Sequence, residues 1–373
     1  MNKDIPKAAE IVVVGAGILG LTTALRLAEA GRDILVIDRA EPFREGSGVN
    51  AGSLALQNKS DELLLFYRES LDEWQRLRDE LDDDIGHVRR GGVRVATTEA
   101  DVDALKASAA GQAALGVETE WLEGNEMRAR APWLGPGIRA ATYCAGDGFA
   151  SPLLAGRALI RALHRTGGRF VANASLVGSK ERADGFELET SMGRVRCGVV
   201  VLATGAWTGR AAALFGLDIP VQIHVNMLSV TERMAQFMDN MVVTHIAGQF
   251  TLKQFPNGSC ILGGGFKGRG DIDSGTKELD YKRLIANLKY QCEVVPHLKT
   301  ANLLRSWAGF SGAIEDGLPL LGPWPGNPNL IFAFATGAGF TLGPAAGRAV
   351  AEIITAGAVP ARLARYGPER LSP

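Results

Sequence analysis

The sequence predicts an α/β fold in which a domain built on a parallel sheet carries an inserted domain with a mixed, largely antiparallel sheet. Three observations support this fold class. Residues 11–39 form a pattern of strand, glycine-rich turn, helix and strand. Two later apolar strands, 199–203 and 329–335, each lead into a glycine. Residues 89–96 and 220–265 have the alternating strands and turns of an antiparallel sheet.

The stretch 11–39 has the features of a nucleotide-binding βαβ unit. Its first strand is apolar, and the turn that follows has the spacing G-x-G-x-x-G. Gly15 permits a tight turn, Gly17 lets the backbone approach a pyrophosphate, and Gly20 lets the helix pack closely on the sheet. The candidate ligand-binding residues of this turn are Gly15, Ala16, Gly17, Ile18, Leu19 and Gly20.

The second strand of this unit, 34–37, is followed by Asp38 and Arg39. Asp38 stands roughly 20 residues after the glycines, where a carboxylate can accept hydrogen bonds from ribose hydroxyls. The helix N-terminus offers free N–H groups and a positive dipole end to phosphates. We therefore predict a Rossmann-like domain and a bound dinucleotide, without a distinction between FAD and NAD. The alternative is an ordinary buried strand–helix turn rich in glycine.

Composition argues against several classes of protein. The 373 residues exceed the usual size of a single domain, so two domains are expected. The 40 Lys and Arg residues balance the 41 Asp and Glu residues, which argues against a nucleic-acid or anionic-membrane surface. The four cysteines form no CxxC pair and the five histidines lack metal-ligand spacing. We expect reduced thiols, no metal site, no transmembrane segment and a cytoplasmic protein.

The loop 40–53 is dominated by small residues. Such a segment can lie flat against a cofactor and present backbone N–H groups and a hydroxyl to phosphate. The alternative is a solvent-exposed loop. The candidate contacts are Ser47, Asn50, Ala51, Gly52 and Ser53.

The middle of the chain predicts further elements. Ser151-Pro152 begins a helix, with serine as N-cap and proline in the first turn. Asn257-Gly258 indicates a hairpin, and glycines 263–265 are expected to end its second strand. Apolar spacing predicts a helix over 277–292. Its expected buried face consists of Tyr281, Leu284, Ile285 and Leu288.

A second strand–loop–helix unit lies near the C-terminal end of the sequence. Strand 329–335 leads through a glycine-rich loop into a helix that extends to about residue 354. The helix N-terminus would face a ligand, and a positive dipole there suits the negative charge of a reduced flavin. The alternative is a glycine-rich helix start needed only for packing. The candidate contacts are Gly337, Gly339, Phe340, Thr341 and Leu342.

Together these motifs resemble the D-amino-acid oxidase superfamily of FAD-dependent oxidoreductases. This group includes glycine and sarcosine oxidases and the flavin subunits of opine oxidases and heteromeric imino-acid dehydrogenases. The resemblance covers almost the whole chain and rests on residues 15–20, Asp38-Arg39, 47–53, 201–207, 307–309, 316–322 and 337–343. It further implies FAD contacts at Val177, Ala203, Gly205 and Trp207.

The resemblance implies a glutathione-reductase type of FAD-binding domain and a separate substrate domain. The first would comprise residues 1–85, 146–218 and 305–373, and the second residues 86–145 and 219–304. It implies oxidation of the CH–NH bond of an amino acid or secondary amine, such as an N-substituted amino acid, an opine or an imino acid. Hydride transfer to flavin N5 would give an imine.

The sequence departs from the family pattern at two positions. Ser311 stands where amino-acid oxidases carry an arginine that clamps the substrate carboxylate, and a hydroxyl lacks its charge-assisted bonds. Ala338 stands where many relatives carry histidine. No cysteine lies near Ser311, where some relatives attach flavin covalently, so we predict non-covalent FAD. The catalytic residues stay unassigned, with the candidates His245, Arg305, Ser311 and Lys267.

Three other interpretations are consistent with some of these motifs. One is an FAD-dependent 2-hydroxy-acid oxidase or dehydrogenase, which oxidises a CH–OH bond. Another is a flavin subunit that is active only with a partner chain, and a homo-oligomer is a further arrangement. A nicotinamide dehydrogenase fits least, because it leaves 47–53 and 337–343 without a role.

Overall fold

The computed structural model describes residues 5–57, 59–248, 250–337 and 339–371. The helices of these residues are α1 (Ile18–Glu29), α2 (Asp61–Glu80), α3 (Glu99–Ala114), α4 (Gly124–Arg130), α5 (Pro152–Arg165), α6 (Thr208–Ala213), α7 (Tyr281–Val294) and α8 (Gly339–Ala356). Their strands are β1 (Ala8–Val14), β2 (Ile34–Ile37), β3 (Ser53–Leu54), β4 (Gly92–Ala96), β5 (Glu120–Leu122), β6 (Ala140–Cys144), β7 (Gly148–Phe149), β8 (Arg169–Val171), β9 (Leu176–Arg182), β10 (Gly185–Thr190), β11 (Gly193–Leu202), β12 (Gln222–Arg233), β13 (Val242–His245), β14 (Thr251–Gln254), β15 (Ser259–Lys267), β16 (Arg269–Asp271), β17 (Thr276–Glu278), β18 (Leu303–Ala313), β19 (Leu320–Trp324) and β20 (Asn327–Phe334).

The first large sheet has the strand order β19-β20-β11-β1-β2-β8. Strands β20, β11, β1, β2 and β8 are parallel, and β19 pairs antiparallel at the edge. One face packs on α1, α2, α5 and α8, and the other packs on the β9–β10 hairpin and α6. Apolar side chains of β1 and β2 alternate between these two cores, which explains why both strands are continuous apolar runs.

The second large sheet has the order β18-β12-β15-β14-β13-β4-β6-β5. Its neighbours are antiparallel except β4 and β13, which are parallel. The predicted combination of a parallel sheet with a mixed, largely antiparallel sheet is confirmed. Strand β18 belongs to the second sheet, whereas the predicted boundary assigns it to the first domain from residue 305 onward. The division into domains stays a prediction, with β18 lying across its boundary.

Helix α7 differs from the sequence prediction. Residues 276–278 form β17, and the helix begins at Tyr281 because the Asp280 side chain caps it, accepting a hydrogen bond from the Arg283 amide. Tyr281 and Ile285, expected on the buried face, are 69% and 52% exposed. The buried face instead carries two amide side chains and consists of Leu284, Asn287, Gln291 and Val294.

The glycines at 263–265 do not end their strand. Strand β15 continues to Lys267, although Gly264 and Gly265 have φ values of +89° and +72°. Asn287 donates a hydrogen bond to the Gly264 carbonyl oxygen (3.2 Å), so α7 supports the strand at this irregular point. Two local predictions hold: Gly258, with φ +90°, lies in the turn between β14 and β15, and Ser151 caps α5.

Candidate active site

A cavity of about 690 Å³ lies between the two large sheets, within the range of small-molecule and cofactor sites. It extends from the glycine turn after β1 to Asn226, Gly264 and Ser311 in the second sheet. Its lining includes these predicted ligand contacts: Gly15, Gly17, Ile18, Leu19, Asp38, Arg39, Ser47, Asn50, Ala51, Gly52, Ser53, Ala203, Gly205, Trp207, Gly337, Gly339, Phe340 and Thr341.

The turn after β1 leaves no room for side chains at two of its glycines. A Cβ atom on Gly15 would lie 2.4 Å from the Ala203 carbonyl oxygen, and one on Gly20 would lie 1.9 Å from the Gly15 carbonyl oxygen. Ser47 Oγ accepts a hydrogen bond from the Ile18 amide (2.9 Å). The loop that carries Ser47 therefore meets the start of α1 at the cavity wall.

Asp38 supports this turn as well as lining the cavity. Its two carboxylate oxygens accept hydrogen bonds from the Ala16 amide (2.7 Å) and the Ala40 amide (2.8 Å). Burial raises the pKa of Asp38, and these two hydrogen bonds act in the opposite direction. Next to it, the Arg39 guanidinium lies 3.6 Å from the centre of the Trp207 ring. Ala16 thus positions the Asp38 side chain instead of lining the cavity.

The predicted contact at Val177 is displaced by one residue. Val177 is 52% exposed and does not line the cavity, whereas Leu176 does, together with Ala174 and Ser175. Successive side chains of a strand point to opposite faces, so a shift of one residue exchanges the two faces.

The segment 50–53 is held by its own side chains. Asn50 donates to the Ser47 carbonyl oxygen (2.6 Å) and accepts from the Gly52 amide (2.6 Å). Gly52 has φ +74°, and a Cβ atom there would lie 2.2 Å from the Ala150 carbonyl oxygen. The segment therefore keeps its backbone against the cavity.

Helix α8 meets this segment. Thr341 donates its hydroxyl hydrogen to the Ser53 carbonyl oxygen (2.9 Å), while Ser70 and Trp74 donate to the Thr341 carbonyl oxygen. Leu342 is buried in the core beneath the cavity and does not line it. Ala338, the second departure from the family pattern, lies outside the described residues.

Two of the four catalytic candidates lie together at the far end of the cavity. Lys267 Nζ donates to Asn226 Oδ1 (2.6 Å), and Asn226 Nδ2 donates to Ser311 Oγ (2.9 Å). Asn226 and Ser311 line the cavity, and burial lowers the pKa of Lys267. Sequence reasoning missed Asn226, because only the pairing of β12 with β15 and β18 brings it between the two.

The other two candidates lie elsewhere. His245 is buried in the second sheet, where Nδ1 accepts from the Ala247 amide (3.1 Å) and Nε2 lies 3.2 Å from Thr97 Oγ1. Burial lowers its pKa, which Asp101 partly offsets. Arg305 is an exposed residue of β18. Neither residue lines the cavity as described.

Sequence reasoning also missed Lys253, which lies behind the cavity wall. Its side chain is fully buried, and Nζ donates to the Ala51 carbonyl oxygen and to Ser53 Oγ (2.8 Å). Ser53 Oγ in turn lies 3.0 Å from Thr251 Oγ1, and both hydroxyl residues line the cavity. The alternation of Thr251 and Lys253 along β14 was the available signal, but it does not reveal which face is buried.

A family model described as DAO, FAD dependent oxidoreductase, matches residues 10–353. The chain belongs to this family. The DAO membership confirms the predicted superfamily and its FAD cofactor. No helix of the described DAO chain has the length and apolar character needed to cross a bilayer.

Relatives match nearly all of this DAO chain. Human mitochondrial dimethylglycine dehydrogenase is 26% identical over 384 residues, which cover 97% of this chain and 44% of the human protein. The chain therefore spans less than half the length of that relative. An opine oxidase component from Rhizobium meliloti, one of that enzyme's subunits, is 26% identical over 375 residues, with 97% of each chain covered. Glycine oxidase from Geobacillus kaustophilus has the same fold, with a TM-score of 0.89, 24% identity, and coverage of 98% and 99% of the two chains.

Proposed function

We propose that this chain is an FAD-dependent oxidoreductase that oxidises the CH–NH bond of an amino acid or secondary amine to an imine. The observation that carries the proposal is one cavity that joins the glycine turn of the first sheet to a hydrogen-bond donor chain in the second. The similarity to a glycine oxidase and to the opine oxidase component supports an amino-acid-like substrate.

The residues of the cavity fit FAD. Gly15 and Gly17 leave backbone exposed at the N-terminus of α1, where no side chain caps the helix at Gly17 and phosphate can be accepted. Asp38 suits the ribose, and the backbone of 50–53 together with the start of α8 would hold the flavin end. FAD, when bound, supplies the hydride acceptor. We propose non-covalent binding, because no cysteine is among the described lining residues.

The far end of the cavity would hold the substrate carboxylate. The Lys267 ammonium fixes the Asn226 amide with its oxygen toward the lysine, so the amide nitrogen donates to Ser311 Oγ. Ser311 already accepts this bond, which leaves its hydroxyl hydrogen to be donated to a ligand. A carboxylate is the acceptor that a hydroxyl and an ammonium both favour. This donor chain would take the role of the arginine that amino-acid oxidases carry at position 311.

An anaerobic substrate panel tests the proposed function. The FAD-loaded chain is mixed with N-alkyl amino acids, opines, imino acids and, for comparison, 2-hydroxy acids. We expect an amine to bleach the flavin absorbance. Bleaching by 2-hydroxy acids alone would overturn the proposal, as would a chain that takes up no FAD. Admitting air afterwards and timing reoxidation distinguishes oxygen from another electron acceptor.

Two further parts of the proposal concern the setting of the reaction. We propose that the chain works in the cytoplasm, which its four free cysteines support. We also propose that it works with a partner chain, because it matches 97% of a protein that is itself one component of an opine oxidase. Full turnover with an artificial electron acceptor by the purified single chain would contradict the need for such a partner.

A further inference from the structure

We propose that Lys253, Ser53 and Thr251 form a proton relay that accepts a proton from the ammonium group of the bound amine substrate. The inference rests on the proposed function, because it requires an amine in the cavity. It gives a role to a buried lysine that contacts the cavity wall without lining it.

Lys253 has an unusual environment for a lysine. Its side chain has 0% relative exposure, and its neighbours across β13 and β15 are the apolar residues Val242 and Ile261. Burying an ammonium without a carboxylate partner is costly, so such a group is a candidate for function. The structure gives it two oxygen acceptors, the Ala51 carbonyl and Ser53 Oγ.

The other buried charges near this face of the sheet form a separate network. Asp147 accepts hydrogen bonds from the Leu56 amide and the Gln57 side chain. Lys59 and Arg94 interact electrostatically with Asp147. Burial alone lowers the pKa of Lys253 to about 7. Near neutral pH, Lys253 is therefore divided between its neutral and charged forms.

The hydroxyl groups connect this lysine to the cavity. Lys253 Nζ lies 2.8 Å from Ser53 Oγ, which lies 3.0 Å from Thr251 Oγ1. Both hydroxyl residues line the cavity, and a hydroxyl can donate and accept at once. A proton can therefore move between the cavity and Lys253 by two short transfers, without movement of the backbone.

An amine substrate requires such an acceptor. Model amines have a pKa of about 10, so roughly one molecule in a thousand is neutral at pH 7. Only the neutral amine has a nitrogen lone pair to form the C=N bond as hydride leaves carbon. In the relay, the N–H bond of the substrate ammonium breaks and its electron pair stays on nitrogen. A hydroxyl takes that proton and passes its own to neutral Lys253, which becomes an ammonium group.

The pH dependence of anaerobic flavin bleaching at saturating amine tests the relay. In the wild type we expect the rate to rise to a plateau above about pH 7, where Lys253 is neutral. In K253M, and in S53A, which leaves the lysine in place, we expect about a 100-fold lower rate at pH 7. Both variants should come within about twofold of the wild type near pH 10, where the substrate itself is neutral. K180M, at an exposed lysine of β9, is the control and should follow the wild type.

A second measurement does not depend on turnover. The flavin absorbance of ligand-free holoenzyme should show a titration step near pH 7 in the wild type and in S53A but not in K253M. Flavin content and circular dichroism establish that each variant is folded. Losses that are equal at every pH would assign Lys253 a purely structural role and overturn the relay. Absence of bleaching by any amine in the wild type would instead reject the proposed function, and the relay with it.

Discussion

The three glycines of the first turn serve different purposes. At Gly15 and Gly20 an added Cβ atom would meet backbone oxygens at 2.4 Å and 1.9 Å, which the chain can relieve only by moving its backbone. At Gly17 the nearest atom is Ser47 Oγ at 2.9 Å, the end of a short side chain. Gly17 also has an ordinary φ of −81°, so alanine suits its backbone. Gly15 and Gly20 hence maintain the fold, whereas Gly17 maintains access to the ligand.

Alanine substitutions separate these roles. We expect G20A to lower the melting temperature of the FAD-free protein, because overpacking costs about 1–3 kcal/mol. We expect G17A to keep a melting temperature within a few degrees of the wild type but to bind FAD about 10–100-fold more weakly, because the methyl group displaces Ser47 and faces the phosphates. Thermal unfolding and fluorescence titration with FAD measure both quantities. Equal effects of G17A and G20A on stability would contradict this division.

Lys267 is the source of charge for the donor chain that ends at Ser311. Its removal should weaken binding of a carboxylate ligand by about 10–100-fold, since charge-assisted hydrogen bonds contribute about 1.5–3 kcal/mol. The measurement is the change in flavin absorbance as a non-oxidised carboxylate is titrated into K267M. An amine without a carboxylate should bind both proteins equally. K180M serves as the control for the loss of a positive charge. Unchanged carboxylate affinity in K267M would remove Lys267 from the site.

Helix α7 shows how a polar face can be the buried one. Gln291 donates to Asn287 Oδ1 (2.6 Å), and Asn287 donates to the Gly264 carbonyl oxygen (3.2 Å). These bonds support β15 where its glycines depart from regular strand geometry and line the cavity. The helix is therefore part of the cavity's support, although none of its residues is among the described lining residues.

Substitutions on the two faces of α7 should have opposite consequences from those that apolar spacing predicts. We expect N287L to cost about 1–3 kcal/mol, because it leaves a carbonyl oxygen and an amide donor without these bonds in the interior. We expect I285Q, at a 52% exposed position, to change stability by less than about 0.5 kcal/mol. Urea unfolding midpoints measure both. A larger loss in I285Q would restore the buried face that the sequence predicts.

Local patterns were sufficient for the elements that bind the nucleotide. The glycine turn, the apolar strands and the Ser151 cap depend on neighbouring residues, and each lies where the sequence predicts it. The substrate end depends on pairing between distant strands, which places Asn226 between Lys267 and Ser311. Lys253 was missed for the same reason, since composition alone makes a lysine an exposed residue. The α7 face was misassigned because buried amides look like surface residues in a sequence.

The cavity connects the two large sheets, and several contacts cross the same boundary. Glu45, near the nucleotide turn, forms ion pairs with Arg39 (3.1 Å) and with Lys277 of β17 (2.7 Å). Trp307 of β18 donates to the Val49 carbonyl oxygen (3.0 Å). Exposed ion pairs contribute little, so these contacts alone join the sheets weakly. A ligand that fills the whole cavity adds contacts to both sheets at once.

Hydrogen exchange with two ligands tests this coupling. FAD should protect amides of the first sheet near residues 15–20 and also amides of the second sheet near 264–266 and 309–312. AMP, which matches only the nucleotide end, should protect the first group alone. At a concentration 100 times its Kd, either ligand stabilises the protein by about 2.7 kcal/mol. The two can therefore be compared at equal stabilisation, so that a difference in protection reports contact and not global stability. Protection by FAD confined to the first sheet would mean that the flavin end does not reach the donor chain at Ser311, and the substrate site would have to lie elsewhere.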